Sequence, residues 1–199
     1  CSTAIFLKER DAIAPYRAEA LALSRRLNYV KGMASCYLSY GLYNKSNLKP
    51  DIALRYLDSA IAVIGNATEP RLKDMKAAIL ERKGTIFFEQ DNYYMALDYF
   101  FESLKLSNFQ MRNTRSNLYI SITQVYIKLN NLDKALDYAK QTIAFSENDT
   151  GSNKWAEYYP IIDIYLIKND FEMASLYLEK IRPYMPHPKE IQLNYGYYH

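Results

Sequence analysis

The sequence predicts an all-α fold of stacked helix hairpins, and three observations carry that prediction. One helix start is written three times with the same layout, in "EQDNYYMALDYFFESL" (89–104), "KLNNLDKALDYAKQTI" (128–143) and "IKNDFEMASLYLEKI" (167–181). Four segments place an alanine twelve residues after a reference position: Gly41 to Ala53, Gly84 to Ala96, Thr123 to Ala135 and Ile162 to Ala174. The alanines are spaced by 43, 39 and 39 residues, so length varies between units and not inside them. Self-similarity at such a period is the signature of a repeat architecture.

The elements follow in order. Residues 12–27 predict the second helix of an earlier, partial unit, with Ile13, Tyr16, Ala20, Leu23 and Leu27 on one face at helical spacing. Whole units are predicted over about 30–66, 73–108, 112–147 and 152–183, and residues 188–199 read as the start of another, with Tyr195-Gly196 imitating Tyr40-Gly41. Within each unit two antiparallel helices are expected to approach closely at the small residues Gly41 or Gly84 and at the alanine. Thr123 and Ile162 are larger, which predicts wider helix spacing in the third and fourth units. Phe87, Tyr93 and Phe100 are expected to fill the wedge between one pair and the next. Asp91-Asn92, Asn130-Asn131 and Asn169-Asp170 supply the turn and cap the second helix by accepting backbone N–H bonds. "NATEPRLKD" (66–74) is the longest join between units, with Pro70 marking a break. Pro160 has two readings: a kink inside a helix capped near Asn153, or a first-turn residue of a helix starting near Glu157.

Residues 80–100 fit a known pattern. Leu80, Lys83-Gly84 and Phe87 match W-x2-L-G-x2-Y, and Ala96 and Phe100 match A-x3-F. Tyr119, Ile122, Tyr126 and Ala135 match more loosely, as do Tyr158, Ile161, Tyr165, Ala174 and Leu178. The first unit has Tyr37, Tyr40-Gly41, Ala53, Leu57 and Ala60, but Asn44 stands where an aromatic is expected. On these residues the chain resembles the tetratricopeptide repeat (TPR) family over about residues 30–183. Its units run longer than the usual repeat of about 34 residues, like the extended repeats of bacterial regulatory proteins and of motor-protein light chains. "RRLNYVKGMASCYLSYGLY" (25–43) resembles the repeat opening in TPR regions of Bacteroidetes histidine kinases and transcriptional regulators.

Composition excludes several function classes. Hydrophobic residues make up 49% and charged residues 24%, a globular balance. A net charge of +3 gives no electrostatic footprint for nucleic acid. No apolar run reaches the roughly 18 residues of a membrane span. Cys36 reads as a small core residue, and two cysteines give neither a disulfide framework nor a metal spacing. Cys1 has two readings, the lipid-attachment residue of a mature bacterial lipoprotein or simply the first residue of this stretch of chain. No polar cap closes the array at its C-terminal end, which implies that it continues.

No chemistry-bearing motif appears. His187 and His199 lack a nucleophile or metal partner at a recognisable spacing, and no phosphate-binding glycine loop or nucleophile elbow occurs. Glu102, Asp133 and Glu179 read as surface charges of solvated helix faces. Tyr37, Tyr93, Tyr119, Tyr126, Tyr158 and Tyr165, among twenty tyrosines, fall on packing positions of the repeat. The sequons at Asn44, Asn66 and Asn148 carry little information, because the tripeptide is common by chance. The expectation is therefore a non-enzymatic module with no cofactor and no metal.

The resemblance implies a right-handed superhelix, one array spanning 1–199, whose first helices line a concave face that holds a protein or peptide ligand. Carried over, that face comprises Leu38 and Leu42; Glu81, Thr85 and Phe88; Asn117, Ile120, Gln124 and Lys128; and Tyr159, Asp163 and Leu166. Leu38 and Leu42 stand where chaperone-binding members place a Lys and an Asn that clamp a C-terminal carboxylate, so no binding to chaperone tails is expected. Two functions from different classes follow. One is the sensor or interaction region of a larger bacterial signalling protein, a histidine kinase or transcriptional regulator. The other is a lipid-anchored scaffold of the cell envelope, with an enzyme a distant third alternative. Cys1 tilts the expected location outside the cytoplasm.

Overall fold

The computed structural model describes residues 14–107, 112–146 and 154–184. Cys1, His187, His199, Asn148 and residues 188–199, on which several expectations rest, lie outside the described residues. All regular structure among the described residues is helical. The chain divides into two compact units, Cys1–Phe109 and Gln110–His199. The first contains α1 (Ala14–Arg26), α2 (Val30–Ser46), α3 (Pro50–Ile64), α4 (Pro70–Glu89) and α5 (Tyr93–Leu106). There α2 pairs with α3 and α4 with α5, while α1 lies on α2 and α3 on α4. The second contains α6 (Arg112–Lys128), α7 (Leu132–Ser146), α8 (Lys154–Ile167) and α9 (Phe171–Ile181), followed by a 3-10 turn at Arg182–Tyr184. There α6 pairs with α7 and α8 with α9, and α8 touches both α6 and α7.

The hairpin turns have one design. Asp91, Asn130 and Asn169 take left-handed backbone, with φ of 58°, 53° and 58°. In each turn the next residue donates its N–H five residues back, from Asn92 to Phe87, Asn131 to Tyr126 and Asp170 to Tyr165, all at 2.9 Å. This closure satisfies orphan carbonyls of the first helix. The same residue then caps the second helix. Asn92 Oδ1 accepts from the N–H of Met95 at 3.4 Å, Asn131 from Lys134 at 3.3 Å and Asp170 from Met173 at 3.1 Å. The repeated helix start is thus a left-handed residue followed by a cap. The first hairpin closes identically, with Lys49 N–H donating to Asn44 O at 2.9 Å, but places Leu48 at φ 56° and Lys49, without a side-chain cap, at the helix start. Leu48 is 90% exposed and gains no packing there. Asn28, at φ 53°, closes α1 onto α2 in the same way.

The repeat alanines form the contact between paired helices. Ala53, Ala96 and Ala135 are fully buried and Ala174 nearly so. A Cβ at Gly41 would sit 2.8 Å from Leu57, and one at Gly84 would sit 2.6 Å from the Phe100 ring. In the third hairpin the sizes are exchanged. Thr123 replaces the glycine, Ala139 replaces the large residue, and both are buried. In the last hairpin Ile162 is buried and Leu178 is exposed. Volume traded across the pair accommodates Thr123, as close-packed interiors require.

Each hairpin also carries a stacked ring pair that links its two helices. Phe87 stacks on Tyr99 at 5.2 Å, Tyr126 on Tyr138 at 5.7 Å and Tyr165 on Tyr177 at 5.7 Å. Phe87 therefore closes its own hairpin rather than the wedge to the next. In the first unit Asn44 takes the expected aromatic's place and donates Nδ2–H to its own helix, at Tyr40 O, 2.8 Å away. Tyr40, one turn earlier, stacks on Tyr56 at 5.0 Å instead.

Other expectations change. The predicted face of α1 is rotated by roughly a quarter turn: Tyr16, Ala20, Leu23 and Leu27 are exposed, while Arg17, Leu21 and Ser24 turn inward. The join at 66–74 is shorter, because Pro70 opens α4 at its first position and the extra residues lengthen the helix. Gly65, at φ 55°, closes α3 before it. Pro160 lies inside α8, buried, in a helix that starts at Lys154. Its ring removes one backbone hydrogen bond from the interior of α8. Cys36 is half-buried in α2.

Lys83 occupies an apolar position of the motif. It is buried, and Nζ reaches Asp58 Oδ1 at 2.6 Å and Tyr99 Oη at 2.9 Å, with the ammonium 4.2 Å from the Tyr99 ring centre. Burial alone would lower its pKa, but the hydrogen bonds and charge of Asp58 and Tyr99 outweigh it and raise the value. A raised folded-state pKa means stability that is full below the ordinary lysine value and lost as pH rises through the shifted one. Burial also raises the Tyr138 and Tyr165 hydroxyls, which adds alkaline loss in the same direction.

Three outcomes are expected. Leu48→Asn should raise stability by about 0.5–1 kcal/mol in denaturant unfolding, because asparagine tolerates left-handed backbone; no gain would remove the strain assigned to Leu48. Gly84→Thr and Phe100→Ala should each destabilise. The double variant should cost less than their sum by about 1 kcal/mol or more, a coupling absent if the two side chains do not share one space. Lys83→Met should flatten the loss of thermal stability above the ordinary lysine pKa relative to the unsubstituted protein, since the tyrosine contribution is common to both; parallel pH profiles would refute the role given to Lys83.

Candidate functional site

The predicted binding residues sit at helical spacing on the first helix of each hairpin, and the structure treats them unequally. In the first unit they are mostly engaged. Leu38 packs against the core cluster that includes Ala53 and Leu57, and Leu42 is partly exposed beside it. Thr85 donates its hydroxyl to Glu81 O of its own helix at 3.0 Å. Phe88 leans on Tyr93 across the hairpin at 5.9 Å. Burial raises the pKa of the Glu81 carboxyl, with the Arg82 charge opposing.

In the second unit the corresponding faces are more open. On α6, Asn117, Gln124 and Lys128 are exposed and Ile120 is half-buried. On α8, Tyr159 is 50% exposed, Leu166 47% exposed and Asp163 half-buried. Trp155 lies 5.8 Å from the Tyr159 ring and steadies it from the preceding turn. The contact of α6 with α8 places these two faces on neighbouring helices. The residues on these faces are mixed, with Ile120, Tyr159 and Leu166 among two amides and two charges. Such a surface can hold a peptide by ring and methyl contacts while amide groups pair with its backbone.

Sequence reasoning missed a site at the other end of the chain. Leu38 and Leu42 line a pocket of about 280 Å³ between α1 and α2, with Arg17, Ser35, Ser39, Tyr43 and Ser46. Arg17 donates from Nε to Ser39 Oγ at 3.0 Å, and its guanidinium lies 4.7 Å from the Tyr43 ring centre. The signal was present in the spacing of Arg17, Leu21 and Ser24, which a face drawn only through apolar residues passes over. The A-x2-Y recurrence of Tyr56, Tyr99, Tyr138 and Tyr177, one turn after each repeat alanine, was equally readable and also missed.

Among the described residues no group of three or more His, Cys, Asp and Glu comes together to hold a metal. No described helix is long and apolar enough to cross a membrane.

No protein-family profile matches the sequence, and no curated protein matches it. Solved structures do. BtubC (BKLC) from P. vanneervenii superposes with a TM-score of 0.73 at 16% identity, over 96% of this chain and 76% of that one. A putative kinesin light chain from Podosopora anserina, with nearly identical TPR-like repeats, gives 0.66 at 10% identity, over 88% of this chain and 87% of that one. The apo form of the quorum sensor NprR from B. thuringiensis gives 0.53 at 18% identity, over 83% of this chain and 58% of that one. At such identities the likeness is one of fold: this chain is built from TPR-type antiparallel helix pairs.

Proposed function

We propose that this chain is a non-enzymatic interaction module that binds a protein or peptide on the exposed faces of its first helices. The observation that carries this reading is the exposure of Tyr159 and Leu166 on α8 and of Asn117, Gln124 and Lys128 on the contacting helix α6. Large apolar groups are exposed on one of these helices, and on the other stand amides for which no hydrogen bond to the described residues is seen. The repeat explains the buried faces of these helices and leaves this one unaccounted for.

The module is the sensing or interaction region of a larger bacterial signalling protein, a histidine kinase or transcriptional regulator. Support comes from the resemblance of residues 25–43 to the repeat openings of such proteins and from the structural likeness to a quorum sensor. In this reading a bound peptide shifts the packing of neighbouring hairpins and so reaches an output domain.

The test is affinity capture from native lysate with the chain and with a variant carrying Phe88→Ala, Gln124→Ala and Tyr159→Ala, followed by titration of any captured protein's peptides. The variant should retain its helical circular dichroism and lose at least tenfold in affinity. Equal recovery by both proteins would show that these faces are not the binding surface.

A further inference from the structure

We infer that α1 is a self-association surface, on which a second copy of this chain docks its own α1 in antiparallel orientation. The face concerned is formed by Tyr16, Ala20 and Leu23 on α1 and Leu27 just past its end, four apolar residues at i, i+4, i+7 and i+11, all exposed. Tyr16 is 69% exposed and Leu27 64%. The repeat register identifies the face. In α3, Leu57 lies against Gly41 of its own hairpin, while Asp58 reaches Lys83 of the next one. In α1, Arg17 and Ser24 meet the next helix α2, at Ser39 and Gly32. Aligning left-handed Asn28, φ 53°, with left-handed Gly65, φ 55°, superposes the two helices in register. Tyr16, Ala20, Leu23 and Leu27 then fall on Ala53, Leu57, Ala60 and Ile64, all of them buried. The open stripe of α1 is therefore the one that α3 buries against a helix.

Size and charge set the occupant. The later hairpins place Ala53, Ala96, Ala135 and Ala174 at the helix crossing, and α1 places Tyr16 there. A ring of that size does not fit the close crossing of the repeat, and the spacing of the stripe is that of a coiled-coil seam. Turned about a two-fold axis, the stripe meets itself in complementary order. Tyr16 stands opposite Leu27 of the second copy, and Ala20 opposite its Leu23, large against small. Glu19 and Arg26 share one flank of the stripe, are exposed, and form no ion pair among the described residues. The same axis sets Glu19 of each copy beside Arg26 of the other, which gives two ion pairs between chains. A helix of 13 residues is about 20 Å long. The seam is short, so the dimer is weaker and more reversible than one held by a standard interface of about 1,600 Å². Phe88, Gln124 and Tyr159 lie off this stripe, so the inference is independent of the proposed ligand surface.

The experiment is sedimentation equilibrium of the full chain from about 1 µM to 1 mM, a range that brackets a weak dimer. The mass should rise from one chain to two. Leu23→Glu, at an exposed position, should keep its helical circular dichroism and weaken association at least tenfold. Glu19→Arg sets like charges together twice and should weaken it by about tenfold. The exchange Glu19→Arg with Arg26→Glu should restore the affinity, which a contact through any other face would not do. A single-chain mass at every concentration overturns the inference, and is the result if the chain's own residues 1–13 cover the stripe. A dimer that Leu23→Glu leaves intact, or one that the charge exchange fails to restore, overturns it as well. The mass of the unsubstituted protein stands even if a variant does not fold.

Discussion

The structure depends on how closely two helices of one hairpin can approach. Ala53, Ala96, Ala135 and Ala174 sit at the crossing with no room to spare, and a larger residue opposite must be matched by a smaller one. Leu57 against Gly41, Phe100 against Gly84 and Ala139 with Thr123 are three solutions to one volume. Close approach brings the flanking rings into register, so Phe87 and Tyr99, Tyr126 and Tyr138, and Tyr165 and Tyr177 stack nearly parallel. Stacking at this distance contributes about 0.5–1.5 kcal/mol beyond burial. It also fixes the rotation of each helix about its axis, and that rotation decides which residues face outward.

The turns made most of this legible. A left-handed residue followed by a cap demands asparagine or aspartate twice, and 91–92, 130–131 and 169–170 spell that demand openly. The first hairpin was harder to read because Leu48 and Lys49 make the same turn without the matching chemistry. Its closure rests on backbone bonds and on tertiary packing that overrides local preference. The helix register was legible because alanine at a crossing is a steric requirement. The ring partners of the second helices were overlooked although they recur at fixed spacing. The face of α1 was misassigned for another reason. Apolar residues are not confined to interiors, and Tyr16, Leu23 and Leu27 lie on its open side. The residues that turn inward include an arginine whose long stem packs while its head reaches Ser39 and Tyr43.

The candidate site was only partly visible for a related reason. Repeat positions tell which residues the stack consumes, but exposure of the remainder depends on neighbours that spacing does not reveal. Phe88 and Thr85 look like groove residues by register, yet one leans on Tyr93 and the other bonds to its own helix. Tyr159 and Leu166 hold the corresponding places on α8 and stand open. Pro160, between Tyr159 and the buried Ile161, removes a backbone bond from the interior of that same helix. The exposed residues thus ride on a helix whose internal ladder lacks one backbone bond.

Two cations inside the unit Cys1–Phe109 tie its helices together. Lys83 enters the core by its aliphatic stem and finds Asp58, Tyr99 and an aromatic face, so its charge is answered within the fold and its pKa rises. Arg17 enters from α1, donates from Nε to Ser39 and lies over the Tyr43 ring, so it pins α1 to α2.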